Sequence, residues 1–129
     1  MLSHVHIGIT DFDRAYEFYS SLMRELGLRQ RFCEPGHWAG WEPNDAERPL
    51  FLIGRAFDGE VATPGNGQMV ALLASTRAAV DSAYAAAIAS GARCEGPPGL
   101  RPGYHQNYYG AYFRDPDGNK LCVCCHSEA

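Results

Sequence analysis

The chain consists of two halves that follow the same plan, and this repetition constrains its fold more than any other feature. Gly27-Leu28-Arg29 and Gly91-Ala92-Arg93 lie 64 residues apart (27 to 91), about half of the 129 residues. Each of these glycines ends a stretch with helical periodicity, where a left-handed residue is favoured. A repeat at this distance indicates a duplicated structural unit.

The first half begins with an alternating segment, residues 5–9, which predicts a β-strand. Thr10 to Asp13 contains short polar side chains that can cap a helix start. Apolar residues from Ala15 to Leu26 recur at helical spacing and predict one buried face. Turn-forming residues then separate three predicted strands, near 28–34, 37–42 and 49–55.

The second half repeats this order. Residues 69–74 predict its first strand, Ser75 and Thr76 are both candidate caps, and an apolar helical face runs from Val80 to Ile88. Three further strands are predicted near 92–95, 108–114 and 120–125. The predicted fold is therefore α+β, a single domain of two βαβββ modules at 1–56 and 68–129, joined by a linker at 57–67. Neither module is expected to be stable alone, so the two are expected to share one core.

Asp115-Pro116-Asp117-Gly118-Asn119 is the clearest turn in the sequence. Proline presets one backbone angle, and glycine and asparagine tolerate positive φ. This segment predicts a hairpin whose return strand, residues 121–126, carries three cysteines and a histidine. Because side chains alternate along a strand, Cys122 and Cys124 are expected to share one face.

Composition excludes several classes of protein. The net charge is −4, and the basic residues are scattered, which argues against nucleic-acid binding. No apolar run approaches the roughly 18 residues that a membrane span needs, and no secretory signal is recognisable. The only C-x-x-C spacing, Cys122 to Cys125, lies within a predicted strand and has no second pair, which argues against zinc-ribbon and thioredoxin sites; the five cysteines fit reduced thiols. We therefore expect a cytoplasmic protein that contacts neither membrane nor nucleic acid.

Four pieces of the sequence recur together in a specific order and spacing: His4 to Asp11, Ala15 to Tyr19 with Gly27-Leu28, Val80 to Tyr84 with Gly91-Ala92, and Asp115 to Asn119. In this arrangement they resemble the vicinal oxygen chelate superfamily, which includes glyoxalase I, bleomycin-resistance proteins and extradiol dioxygenases. The stretch 99–110, together with Cys125-His126, is similar to a glyoxalase-like branch of unassigned function. The resemblance implies a cup formed by two sheets, and frequent homodimers that sometimes exchange modules.

In metal-using members, the resemblance implies ligands on the first and last strand of each module. His4 matches the first ligand position, whereas Leu52, Met69 and Cys122 occupy the other three. No carboxylate remains to neutralise a divalent ion, so no tightly bound metal or other cofactor is expected. An alternative is a soft nitrogen and sulfur set of His4, His6, Cys122 and Cys124, which suits zinc or copper.

A proline- and glycine-rich segment, residues 96–106, predicts a long loop that lines the ligand site. Arg101 suits a carboxylate or phosphate, and His105 is the candidate general acid or base. Cys122 is either a buried small side chain or a reactive thiol activated by a neighbouring histidine. His37 and His126 are predicted to be solvated. The predicted ligand-binding set is His4, His6, Trp41, Arg101, Tyr104, His105, Tyr108, Tyr109, Cys122 and Cys124.

Two functions remain open at the level of sequence. The first is a metal-free protein that binds a small organic molecule in the cup, which the missing carboxylates favour. The second is an active metal-dependent lyase or dioxygenase, which the resemblance favours; an accessory subunit is a third alternative. We expect a homodimer in each case.

Overall fold

A computed structural model of the chain describes all residues from 1 to 129. Its strands and helices follow the predicted order, with β-α-β-β-β occurring twice. Neither helix is both long and apolar enough to cross a membrane. The elements are β1 (His4–Gly8), α1 (Phe12–Glu25), β2 (Arg29–Glu34), β3 (Trp38–Glu42), β4 (Leu50–Gly54), β5 (Val70–Leu73), α2 (Arg77–Ala89), β6 (Arg93–Leu100), β7 (Tyr109–Arg114) and β8 (Lys120–Cys125).

The strands form two four-stranded sheets of equivalent order, β1-β4-β3-β2 and β5-β8-β7-β6. In each sheet the first strand pairs in parallel with the last strand of its module, and the remaining pairs are antiparallel. The predicted α+β fold of two βαβββ modules is confirmed.

Both helices begin at a capped residue and end at a glycine. The Asp11 carboxylate accepts the Arg14 backbone N–H, and the Thr76 hydroxyl accepts that of Ala79. These bonds satisfy amides that have no partner within the helix, and they identify Thr76 rather than Ser75 as the second cap. Gly27 and Gly91 adopt φ of 72° and 104°, which lets the chain leave each helix.

The two modules share one hydrophobic core, as predicted. The helices α1 and α2 contact each other, and a cluster of 20 buried residues draws on both halves of the chain. The ring of Phe18 on α1 meets the ring of Phe113 on β7 edge-on, with centroids 6.5 Å apart. Because each module buries its apolar face against the other, the core is a property of the whole chain.

The turn at Asp115 also joins the modules. Its buried carboxylate accepts the Tyr19 hydroxyl of α1 at 2.5 Å. The Asn119 side-chain amide donates to the Gly8 carbonyl at 2.9 Å, and the Thr10 backbone N–H donates to Asp117 at 3.2 Å. The residues that make the hairpin turn therefore anchor the second module on the first.

The loop between β6 and β7 begins later in the structure than the predicted range 96–106. Strand β6 continues to Leu100, with register shifts on both sides of Gly96. The strand tolerates Pro97 and Pro98 because β6 is an edge strand and because both prolines lie in the register shift between Gly96 and Gly99, where neither has a partner on β7. The connection to β7 is thus residues 101–108.

Candidate functional site

Each sheet has one face against the helices and one face away from them, hereafter the open face. On β8, Leu121, Val123 and Cys125 belong to the hydrophobic core. Cys122 and Cys124 point the other way, as strand alternation predicts, and lie on the open face of the second module. Side chains that bind a ligand in the cup are expected on these open faces.

On the open face of the first module, His4 and His6 are exposed neighbours. His6 pairs with Leu52 across β1 and β4, and a Cβ atom at Gly54 would lie 2.8 Å from the His6 ring nitrogen. Burial, and to a lesser extent the charge of His4, lowers the pKa of His6 below its ordinary value. This face presents the imidazoles of His4 and His6 to solvent, next to the buried side chain of Leu52.

Two residues predicted to bind the ligand lie on the helix side instead. Trp41 belongs to the core, where its ring meets those of Tyr16 and Tyr19. The Tyr109 hydroxyl donates to Asp81 of α2 at 2.7 Å. Strand alternation assigns the open face to Trp38 and Tyr112 instead, and ligand binding by Trp41 and Tyr109 remains a prediction.

Two tyrosines cover Cys122 on the open face of the second module. The Tyr108 hydroxyl lies 3.0 Å from that of Tyr112 and 3.5 Å from the Cys122 sulfur. Burial raises the pKa of Cys122 to about 11, and burial likewise raises the pKa of Tyr108 and Tyr112. No histidine is bonded to Cys122, so its side chain is a protonated, shielded thiol at neutral pH.

Two cations flank the ring of Tyr112. The Arg101 guanidinium carbon lies 5.5 Å from the ring centroid, and the Lys120 ammonium lies 5.9 Å from it. Both distances are within the range of a cation–π contact. Lys120 was missed in the sequence, although its alternation with Cys122 and Cys124 places all three on one face.

Arg101 occupies a slot that glycines leave open. Its guanidinium donates to the Pro97 carbonyl at 2.7 Å. Cβ atoms at Gly96 and Gly99 would lie 3.3 and 3.0 Å from its terminal nitrogens. The absence of side chains at these two positions allows the arginine to lie along β6 and reach the Tyr112 ring.

A second polar group surrounds Cys124. The Cys124 sulfur lies 3.7 Å from His126 Nε2, and His126 Nδ1 lies 2.8 Å from His105 Nε2. The ring of Tyr108 packs against both histidines and against Tyr104. His126 is exposed, as predicted, but it also connects His105 to Cys124, a role that residue type alone did not indicate.

The predicted soft-metal set does not come together. No hydrogen bond, ion pair or aromatic contact links His4 and His6 to Cys122 and Cys124. No group of three or more His, Cys, Asp or Glu side chains is placed to hold a metal ion. With Leu52 buried and Met69 outside β5, the four superfamily positions do not fit a divalent ion.

One apolar cavity is separate from these polar groups. It has a volume of about 680 Å³ and lies between the edge strands β1 and β5, near the end of α1. Of the predicted site residues only Trp41 lines it. Val5, Leu26, Phe51 and Leu72 contribute further apolar walls.

The duplicated βαβββ fold indicates the class of protein. The sequence matches the glyoxalase/bleomycin resistance protein/dioxygenase superfamily over residues 1–123, and the chain belongs to this superfamily. This confirms the resemblance seen in the sequence. No protein of curated function matches the sequence.

Solved structures show the same fold. A glyoxalase/bleomycin resistance protein from Albidiferax ferrireducens is 35% identical, with a TM-score of 0.87 and coverage of 97% of this chain and 98% of that one. A lactoylglutathione lyase from Agrobacterium tumefaciens is 21% identical, with a TM-score of 0.64 and coverage of 97% and 92%. TnmS3, an antibiotic binding protein from a Streptomyces species, is 21% identical, with a TM-score of 0.65 and coverage of 98% and 96%.

Proposed function

We propose that the chain binds a small aromatic anion on the open face of its second module, without a metal ion. The observation that carries this proposal is the contact of the Arg101 and Lys120 cations with the ring of Tyr112. An aromatic ligand would stack beside tyrosine rings, and the two cations would neutralise its carboxylate or phosphate.

The surrounding groups suit this class of ligand. Tyr104 is 70% exposed, and its ring lies 4.9 Å from that of Tyr108, which extends the aromatic surface toward solvent. Burial raises the pKa of Tyr108 and Tyr112, so both phenols stay protonated at neutral pH and can donate hydrogen bonds. The site therefore offers aromatic contact, positive charge and neutral donors together.

The metal-free part of the proposal rests on the four superfamily positions. Leu52 and Met69 supply no nitrogen or oxygen ligand, and burial raises the pKa of the Cys122 thiol to about 11. A thiol must lose its proton to bind a metal, which this environment opposes. A relative with this fold, TnmS3, is itself described as an antibiotic binding protein.

Thermal melting with a panel of benzoates and naphthoates in chelator-treated buffer tests the proposal. At ten times its dissociation constant, a ligand that binds only the native state stabilises it by about 1.4 kcal/mol, which raises the melting temperature by about 5 °C. We expect such shifts for the acids. The neutral amides of the same compounds are the matched controls and are expected to give smaller shifts.

Equal shifts with acids and amides would remove the role assigned to the two cations. Shifts that appear only after nickel, zinc or iron is added would favour the alternative, a metal-dependent lyase or dioxygenase. If neither the acids nor the amides raise the melting temperature, the proposal of ligand binding at Tyr112 is contradicted.

We further propose that the chain forms a homodimer through the region of the apolar cavity. Leu2 and Leu73 line this cavity and remain 54% and 70% exposed in the single chain. A second copy would bury these leucines against an apolar surface. Sedimentation velocity is expected to give twice the chain mass of 14.2 kDa, and a monomer at micromolar concentration would contradict the proposal.

A further inference from the structure

The hydrogen bonds around Cys124 have a fixed direction. The Asn107 backbone N–H donates to His105 Nδ1 at 3.1 Å, so that nitrogen must be an acceptor. A neutral imidazole carries its proton on the other nitrogen, which makes His105 Nε2 the donor to His126 Nδ1. His126 in turn carries its proton on Nε2, the atom that faces the Cys124 sulfur.

This direction decides the role that His126 can take. Its Nε2 already carries a proton and points at the sulfur, so it cannot remove the thiol proton. It can instead donate a hydrogen bond to a thiolate, which is a stronger acceptor than a thiol. Asn107, His105 and His126 thus form a relay of donors that ends on Cys124.

From this relay we infer that Cys124 is a nucleophile toward soft electrophiles of the α,β-unsaturated carbonyl class. The thiol loses its proton to solvent, and the resulting thiolate forms a bond from sulfur to the β-carbon. The carbon–carbon π bond breaks, and its electron pair moves to the carbonyl oxygen as an enolate. Water then protonates the α-carbon, so the product is a thioether and no oxidant is consumed.

The neighbouring thiol provides an internal comparison. Cys122 is fully buried, contacts tyrosine rather than histidine, and its pKa is raised to about 11 by burial. Cys124 keeps 5% of its surface exposed and contacts His126. The nucleophile is therefore assigned to Cys124, and not to Cys122, which the sequence had suggested as the candidate reactive thiol.

Iodoacetamide labelling followed by peptide mapping tests the assignment. A hydrogen bond from His126 stabilises the charged sulfur in the reaction, and the lower nucleophilicity of a stabilised thiolate removes part of that gain, which leaves a net effect of about threefold on the rate. We expect Cys124 to be alkylated about threefold more slowly in His126→Ala than in the native chain. A ring that merely shields the sulfur would give the opposite result, faster labelling after its removal.

Two controls support the comparison. His37→Ala removes another exposed imidazole that contacts neither thiol, and it is expected to leave the Cys124 rate unchanged. His105→Ala leaves His126 free to take the other tautomer, and it is expected to slow labelling less than His126→Ala does. With methyl vinyl ketone, the first adduct is expected to map to Cys124.

Equal or faster labelling of Cys124 in His126→Ala would overturn the inference, as would first reaction at Cys122. The inference does not rest on the proposed ligand site, because alkylation needs no bound anion. Melting shifts with acids but no change of rate in His126→Ala would leave the binding function standing and remove the nucleophile. Slower labelling in His126→Ala without melting shifts from the acids would leave the nucleophile standing and remove the proposed binding function.

Discussion

Asp115→Asn is expected to lower the free energy of unfolding by about 3 kcal/mol, the largest effect we predict for a single polar substitution. Each carboxylate oxygen of Asp115 accepts two hydrogen bonds. One oxygen accepts the backbone N–H groups of Asp117 and Asn119 at 2.9 and 2.8 Å. The other accepts the Tyr19 hydroxyl at 2.5 Å and the Asn119 side-chain amide at 2.9 Å.

An asparagine cannot reproduce this pattern, because whichever oxygen becomes an NH₂ group then faces two donors. The site is 4% exposed, so water cannot replace the lost partners. Burial, and next the charge of Asp115, raises the pKa of Tyr19 well above its ordinary value. Its hydroxyl therefore stays protonated and needs an acceptor. The substitution therefore weakens both the turn itself and the hydrogen bond from Tyr19 that connects the two modules.

Asp117→Asn in the same turn is the matched control, with the opposite expected sign. Burial, and then the charge of Asp115, raises the pKa of Asp117 above its ordinary value. One of its buried oxygens has no hydrogen-bond partner. The ionised form is thus disfavoured in the fold, and the neutral amide is expected to add up to about 1 kcal/mol of stability at pH 7.

The pH dependence of this control follows from the direction of the shift. A carboxyl whose folded pKa exceeds its unfolded value destabilises the fold above the folded pKa. That cost disappears as the pH falls through the folded value toward the ordinary 3.8. The advantage of Asp117→Asn over the native chain is therefore expected at pH 7 and lost near pH 4.

Urea unfolding of the two variants at pH 7 and pH 4 measures all four quantities. Equal losses of stability for Asp115→Asn and Asp117→Asn would mean that both act through the turn conformation alone. A loss below 1 kcal/mol for Asp115→Asn would show that its buried bonds do not hold the modules together.

The same segment shows what the sequence could and could not predict about the fold. Proline, glycine and asparagine predict a turn from local backbone preferences, and that prediction holds. The bond from Asp115 to Tyr19 joins residues that are 96 positions apart. No local pattern specifies such a partner, because it depends on how α1 packs against the second sheet. Likewise, β6 can extend through Pro97 and Pro98 because it is an edge strand, and its position in the sheet is not visible in the local sequence.

Alternation along one strand correctly predicts the face that Cys122 and Cys124 share. Trp41 and Tyr109 were chosen by residue type, whereas alternation places them against the helices. The link from His105 to His126 depends on where the chain after β8 meets the loop before β7. A contact between a loop and a segment 21 residues further along the chain is a tertiary property, and the sequence alone does not show it.

Arg101→Ala is expected to weaken binding of the best aromatic acid by about tenfold to a hundredfold, the largest functional effect we predict. This is the range for a charge-assisted contact to a carboxylate in a partly desolvated site. Isothermal titration calorimetry of native and variant chains measures it. Arg55→Ala is the matched control, because Arg55 is exposed and makes no hydrogen bond or ion pair in the structure.

A second variant separates the charge of Arg101 from its position. Gly99→Ala places a methyl group 3.0 Å from the guanidinium and keeps the charge of the chain unchanged. If the slot along β6 aims the arginine at the ligand, Gly99→Ala weakens binding as well, though less than Arg101→Ala. Arg101→Lys keeps the charge but loses the planar fork, and it is expected to fall between the two. Full affinity in Gly99→Ala with loss in Arg101→Ala would mean that only the positive charge matters. A loss in both would show that the end of β6, part of the segment predicted as a loop, is the rigid element that places the cation over Tyr112.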